Sequence, residues 1–100
     1  MTVKLVVLYA QPEQPEEFER HYAEQHAPLV RTMPGLQQFY SGRLTAADGG
    51  ESSYFRIAEL TFADQAALEA AQSSEQGQAT VADYEKIAPP GSRLFVAAVN

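Results

Sequence analysis

The chain predicts an α+β fold of ferredoxin-like type, βαββαβ with an antiparallel four-stranded sheet, which pairs with a second copy to form a dimeric α/β barrel. Three observations predict it. Four strand-like segments and two helical regions alternate in that order, an arrangement that places both helical regions on one face of the sheet. The first and last strands are apolar at nearly every position, whereas a sheet with one wet face alternates apolar and polar. Finally, a chain of 100 residues with 45% hydrophobic content fits a single domain over residues 1–100 and has no spare segment for the second face. The same face of another copy is the simplest cover, which makes a homodimer the expected state.

The elements follow in order. Val3 to Tyr9 (VKLVVLY) is rich in β-branched and aromatic residues and is followed by Gln11, Pro12 and Pro15, the pattern of a strand and then a turn. Pro15 suits the first position of a helix, and Glu16 and Glu17 complement its dipole, so a helix is expected from Pro15 to about His26. Pro28 removes a backbone donor and disfavours helical geometry at Ala27, which predicts a kink or a short further turn over Leu29 to Thr32, ending before Pro34-Gly35. Leu36 to Leu44 (LQQFYSGRL) and Tyr54 to Phe62 (YFRIAELTF) read as two strands joined through Asp48-Gly49-Gly50, residues suited to a hairpin loop. Asp64 is a good N-cap for an alanine-rich helix to about Gln72, and Ser73 with Gln76 resembles a capping pair for a further helix toward Ile87, which Gly77 weakens. Pro89-Pro90-Gly91 stops that helix, and Leu94 to Val99 (LFVAAV) is the last strand.

Composition removes several function classes. Only seven Lys and Arg are scattered through a chain of net charge −6, so no basic patch neutralises phosphates and nucleic acid is not an expected partner. No apolar run reaches membrane-spanning length, and Leu5 to Leu8 is too short for a secretory core, so no membrane association is expected and the expected location is cytoplasmic. Cysteine is absent, which removes disulfides and thiolate metal sites. No Gly-rich loop follows a strand and no serine has the strand-turn-helix context of a nucleophile elbow, so neither a nucleotide cofactor nor a nucleophile triad is expected.

The most informative segment is Phe18 to Leu36, FERHYAEQHAPLVRTMPGL, which holds the only two histidines. At about 100° per residue, Phe18, Tyr22, His26, Leu29 and Met33 share one stripe, so an imidazole stands where a plain core helix carries leucine. Imidazole titrates near neutrality, which makes His26 a candidate general acid or base in an apolar pocket; the alternative is a core histidine bonded to backbone carbonyls freed by the kink. His21 lies about 140° from His26 by α-helical rotation, at the edge of the stripe, where partial exposure is the alternative to a catalytic role. Tyr22 is either a further acid or a core aromatic with a bonded tip. Glu59 is an acid in the third strand that either joins the site or faces the barrel seam, where it pairs with a partner-chain Arg such as Arg43 or Arg56. Phe18, Leu29, Met33 and Phe62 would line an apolar pocket between helix and sheet, suited to a small hydrophobic ligand. A metal site is not expected, because helical ligand pairs stand three or four apart and a separation of five diverges unless the kink realigns it.

The run from Leu8 to Leu36, with Pro12, Pro15, Phe18, His21, Tyr22, His26, Pro28, Leu29 and Pro34-Gly35, resembles the opening of EthD-type proteins of the dimeric α/β-barrel superfamily. The resemblance continues through Ile57 to Phe62, Ser73 to Gly77 and Ala82-Asp83 with the closing strand, and so spans nearly the whole chain. Ala10 stands where the usual form has a proline. The resemblance implies the barrel dimer and an association with bacterial degradation of ethyl tert-butyl ether and related small organic compounds. Superfamily relatives include cofactor-independent monooxygenases, isomerases, polyketide-tailoring enzymes and heme-handling proteins, so the site must decide the chemistry. Two function classes follow. One is a cofactor-independent enzyme using His26, with His21 or Tyr22, to move a proton during oxidation, isomerisation or dehydration; the other is a non-catalytic binder or accessory protein of a degradative pathway. Heme binding through a histidine is a third option carried by the resemblance.

Overall fold

The computed structural model describes residues 1–100. Strands β1 (Val3–Ala10), β2 (Gln38–Arg43), β3 (Tyr54–Phe62) and β4 (Arg93–Ala98) form one antiparallel sheet in the order β2-β3-β1-β4. This is the ferredoxin-like α+β arrangement expected from the element order. The β-branched and aromatic content of β1 and β3 suits the two central positions, where each strand pairs on both edges.

Register divides the sheet into two faces. Phe39, Leu60, Leu5 and Val96 form one row, and Ser41, Ala58, Val7 and Leu94 the next, both beneath the helices. The opposite face carries the row Tyr40, Glu59, Val6 and Phe95. Beneath the helices lies a core that includes Val7, Tyr9, Phe18, Val30, Phe62 and Leu68. The opposite face has no cover, and Tyr40 and Phe95 are 56% and 52% exposed there.

The first helical region is not one kinked helix. It comprises α1 (Pro15–His21), a π-helical segment (Tyr22–His26) and α2 (Ala27–Arg31). The Ala27 N–H donates to the Tyr22 carbonyl, five residues back. Pro28 explains this: its ring would clash with the carbonyl four residues earlier and it has no N–H to offer, so a widened turn absorbs the conflict without a sharp bend.

The second region is α3 (Gln65–Ser73) and α4 (Glu75–Ile87). Asp64 caps α3, accepting from the Ala67 N–H at 2.8 Å. The cap of α4 is Ser74 rather than the expected Ser73, which is the last residue of α3; the Gly77 N–H donates to the Ser74 Oγ at 3.0 Å. Gly77 is no weakness here. A Cβ at this position would lie 1.9 Å from the Ala71 carbonyl oxygen, so the close approach of α4 to α3 requires glycine.

Candidate functional site

His26 is brought into the core by the π-helical segment and is only 3% exposed. Its Nδ1 lies 2.8 Å from Oδ2 of Asp83 on α4, and its Nε2 lies 3.2 Å from the hydroxyl of Tyr9 on β1. The second carboxylate oxygen of Asp83 is 2.8 Å from Nε2 of His21. An ionised carboxylate only accepts, so both imidazoles donate to it, and the remaining nitrogen of a neutral His26 accepts the Tyr9 O–H. The result is a continuous chain of Tyr9, His26, Asp83 and His21.

The divergence expected of His21 and His26 is overturned. In an α-helix a step of five residues ends about 140° off, but a turn closed by i→i+5 bonds brings positions five apart back toward one side. Both rings therefore meet the same carboxylate from α4.

Burial lowers the His26 imidazole below its ordinary range; the Asp83 hydrogen bond and charge oppose this, and the His21 charge adds to the lowering. Burial pushes the Asp83 carboxyl up, yet the hydrogen bonds and charges of the two imidazoles outweigh it and hold the group below the usual carboxylate range. Burial drives the Tyr9 hydroxyl far above its ordinary value, with the neighbouring Tyr22, Tyr84 and Asp83 charges acting the same way. Tyr9 is therefore a neutral donor at any physiological pH.

A cavity of about 80 Å³ opens between sheet and helices beside His26. Its walls include Val7, Ala58 and Leu60 from the sheet and Tyr22, Val30 and Met33 from the helical side, with Tyr9 and His26 as the linked polar pair. Val81 of α4 and Leu94 of β4, 42% and 51% exposed, mark its mouth.

The expected residues divide as follows. Tyr22, His26 and Met33 line the cavity. The Tyr22 ring lies 5.4 Å from that of His26 and carries the Arg56 guanidinium 4.8 Å from its centroid; Arg56 is in turn held by Glu19. The Tyr22 hydroxyl is buried without a hydrogen-bond partner. Phe18 packs edge-on against Tyr9 at 5.3 Å, and Phe62 is sealed in the core, so both support the cavity without lining it. Leu29 is half-buried, and its neighbour Val30 reaches the cavity because the widened turn rotates everything after it. Glu59 does not join the cluster: it lies on the far face of the sheet, paired with Lys4 of its own chain at 3.2 Å, while Arg43 and Arg56 of this chain engage Glu19.

Two members of the cluster, Tyr9 and Asp83, were not recognised from the residues. Tyr9 reads as an ordinary strand aromatic. Asp83 did leave a signal, since Gly77, Thr80 and Asp83 recur at spacing three on the buried side of α4, and an acid on a buried stripe needs a partner. No group of three or more His, Asp or Glu side chains is arranged to hold a metal ion.

Fold and site together define a ferredoxin-like α+β protein with a small apolar cavity built around a buried imidazole. Residues 10–90 match the EthD domain, and the chain belongs to the EthD family. It is 32% identical over 92 residues, 92% of this chain and 89% of the relative, to a protein of Rhodococcus erythropolis described as an uncharacterized 11.0 kDa protein in the thcB-thcC intergenic region. The crystal structure of an EthD family protein from Bacillus halodurans matches it at a TM-score of 0.94 and 34% identity, covering 100% of both chains. SnoaB, a cofactor-independent oxygenase from Streptomyces nogalater, shares the fold at a TM-score of 0.72 and 16% identity over 98% of this chain and 92% of that one. At that identity the likeness is one of fold.

Proposed function

We propose that this protein is a cofactor-independent enzyme that moves a proton on a small, largely apolar organic molecule, with His26 as the base and Tyr9 as the relay that returns the proton, its O–H passing to the substrate as the imidazolium Nε2–H passes to the tyrosine oxygen. The observation that carries this reading is a buried imidazole held at Nδ1 by a carboxylate and at Nε2 by a tyrosine O–H, at the wall of an otherwise apolar cavity. Asp83 fixes the His26 tautomer and balances the charge when Nε2 takes a proton. Tyr22 contributes its ring to the pocket wall. An apolar cavity of about 150 Å³ accommodates benzene, so the 80 Å³ here takes a group of a few heavy atoms, and a larger substrate extends through the mouth between Val81 and Leu94. Degradation of an ether or a related small organic compound fits that shape.

A second copy covering the row of Tyr40, Val6 and Phe95 forms the barrel dimer and shields the uncovered face. The alternative function, a non-catalytic binder of the same kind of molecule, would use the same cavity.

Deuterium exchange separates the two. Small ketones, ethers and phenols are incubated with the protein in D₂O and followed by proton NMR. An enzyme accelerates exchange or conversion of at least one compound, and His26→Gln, which keeps volume and a hydrogen-bonding end, lowers that rate by about 100-fold or more while the protein stays folded. Saturable binding with no exchange by the wild type identifies a binder instead.

A further inference from the structure

We infer that His21 and His26 share the single negative charge of Asp83 as a two-site proton exchanger, in which a proton gained by His26 at the cavity is matched by one released from His21 at the surface. Its use in turnover rests on the proposed role of His26; the coupling itself is a property of the free protein.

Each carboxylate oxygen of Asp83 holds one imidazole, both at 2.8 Å. One carboxylate balances one imidazolium; a second would place two positive charges around one negative charge in a largely buried setting, where like charges repel strongly. The two rings also open to different places. The His26 side chain is 4% exposed and lines the cavity, whereas the His21 side chain is 22% exposed and borders a separate groove with Gln14, Glu17 and Lys86.

The exchange balances without a proton crossing the carboxylate. His26 Nε2 gains a proton in the cavity, and Nδ1 of an imidazolium at His21, the nitrogen turned away from Asp83, loses one to water in the groove. The His26 Nδ1–H and His21 Nε2–H bonds to Asp83 are kept throughout, Asp83 stays ionised, and the net charge of the trio is unchanged. The other charged or titratable groups nearby are Tyr9 on β1, Tyr22 beside His26, Arg56 on β3 with its Glu19 partner, Tyr84 on α4, and Glu13, Glu17 and Lys86 around the groove. Among these, imidazole is the side chain whose ordinary titration falls in the physiological range. The positive charge of His21 is also one of the influences that hold His26 down, as the exchange requires.

The chain has two histidines, so the test is clean. Ring signals of the wild-type protein alone are followed by NMR across the acid-to-neutral range and assigned with His21→Gln and His26→Gln. Glutamine retains an N–H donor for Asp83. The expected result is a two-step response in the wild-type ring signals, with the His26 midpoint rising by about 1 pH unit or more in His21→Gln. A His26 midpoint that stays put in His21→Gln overturns the proposal. Should either variant fail to fold, independent single-step curves for both wild-type rings overturn it alone. No ligand is involved, so a protein without activity can still show the coupling, and an active one whose rings titrate independently refutes only the exchanger.

Discussion

The two faces of the sheet are made of similar residues and treated in opposite ways. Val7, Ala58, Leu60 and Phe62 are buried under the helices, while Val6, Leu8 and Ile57 on the other side are half-buried and Tyr40 and Phe95 stand open. The polar groups differ more. On the helix side Tyr9, His26 and His21 are linked through the Asp83 carboxylate; on the open side Lys4 and Glu59 form a half-buried pair across neighbouring strands. Apolar content therefore identifies surface to be covered, and the pairing of buried polar groups identifies which covered surface carries the candidate site.

The largest effect should come from the open face. Phe95→Glu puts a charge in the proposed seam, where desolvation costs several kcal/mol. Sedimentation at micromolar concentration should give twice the 11.0 kDa chain mass for the wild type and a single chain mass for the variant. A wild type that sediments as a single chain would break the comparison at its root, because the open face would then be stable in water.

Acid should act on the helix side. The folded His26 lies below its ordinary value of 6.5, so around that pH the unfolded chain binds the proton more readily than the folded one. Its contribution to stability is complete above pH 6.5 and is lost as pH falls below it. Asp83, also lowered, adds a further loss only below its ordinary 3.8. At fixed protein concentration, the melting temperature of the wild type should fall by about 3 °C more than that of His26→Gln between neutral pH and the lower end of this window. Parallel curves would mean that His26 is not held neutral by burial.

The smallest effect belongs to Glu59→Gln. Its pair with Lys4 has side chains 28% and 35% exposed in the single chain, a setting in which ion pairs are worth about 0.5 kcal/mol, provided that the second copy leaves the pair at the edge of the seam. Chemical denaturation should show a change of that size and the cavity reaction none. A loss well above 1 kcal/mol would place the pair deep in the seam and tighten the account of the dimer.

The sequence pattern carries much of this architecture. β-Branched and aromatic runs, proline positions and caps outline every strand and most helix ends, because those features follow from local backbone chemistry. The stripe through Tyr22, His26 and Met33 likewise leads to the cavity wall. The partners of the imidazole were not legible, since Tyr9 and Asp83 lie 17 and 57 positions from His26 and meet it only once the sheet and α4 are assembled. Leu29 and Phe62 misled for a related reason. A fixed rotation of about 100° per residue fails across the π-helical segment, and a strand aromatic adjoining the core need not border the space within it.

That segment has a consequence for how the site tolerates change in length. A π-helical turn behaves as an α-helix carrying one residue too many, and such turns are frequent at functional sites. Between His21 and Pro28 the chain works as a ruler: residue identity at Ala23, Glu24 or Gln25, all exposed, matters less than their number. Loss of any one would restore ordinary helical spacing before Pro28 and turn the two imidazoles away from their common carboxylate. Mending the helix and keeping the site are thus opposed outcomes, and the irregularity persists as the dimension on which the geometry depends.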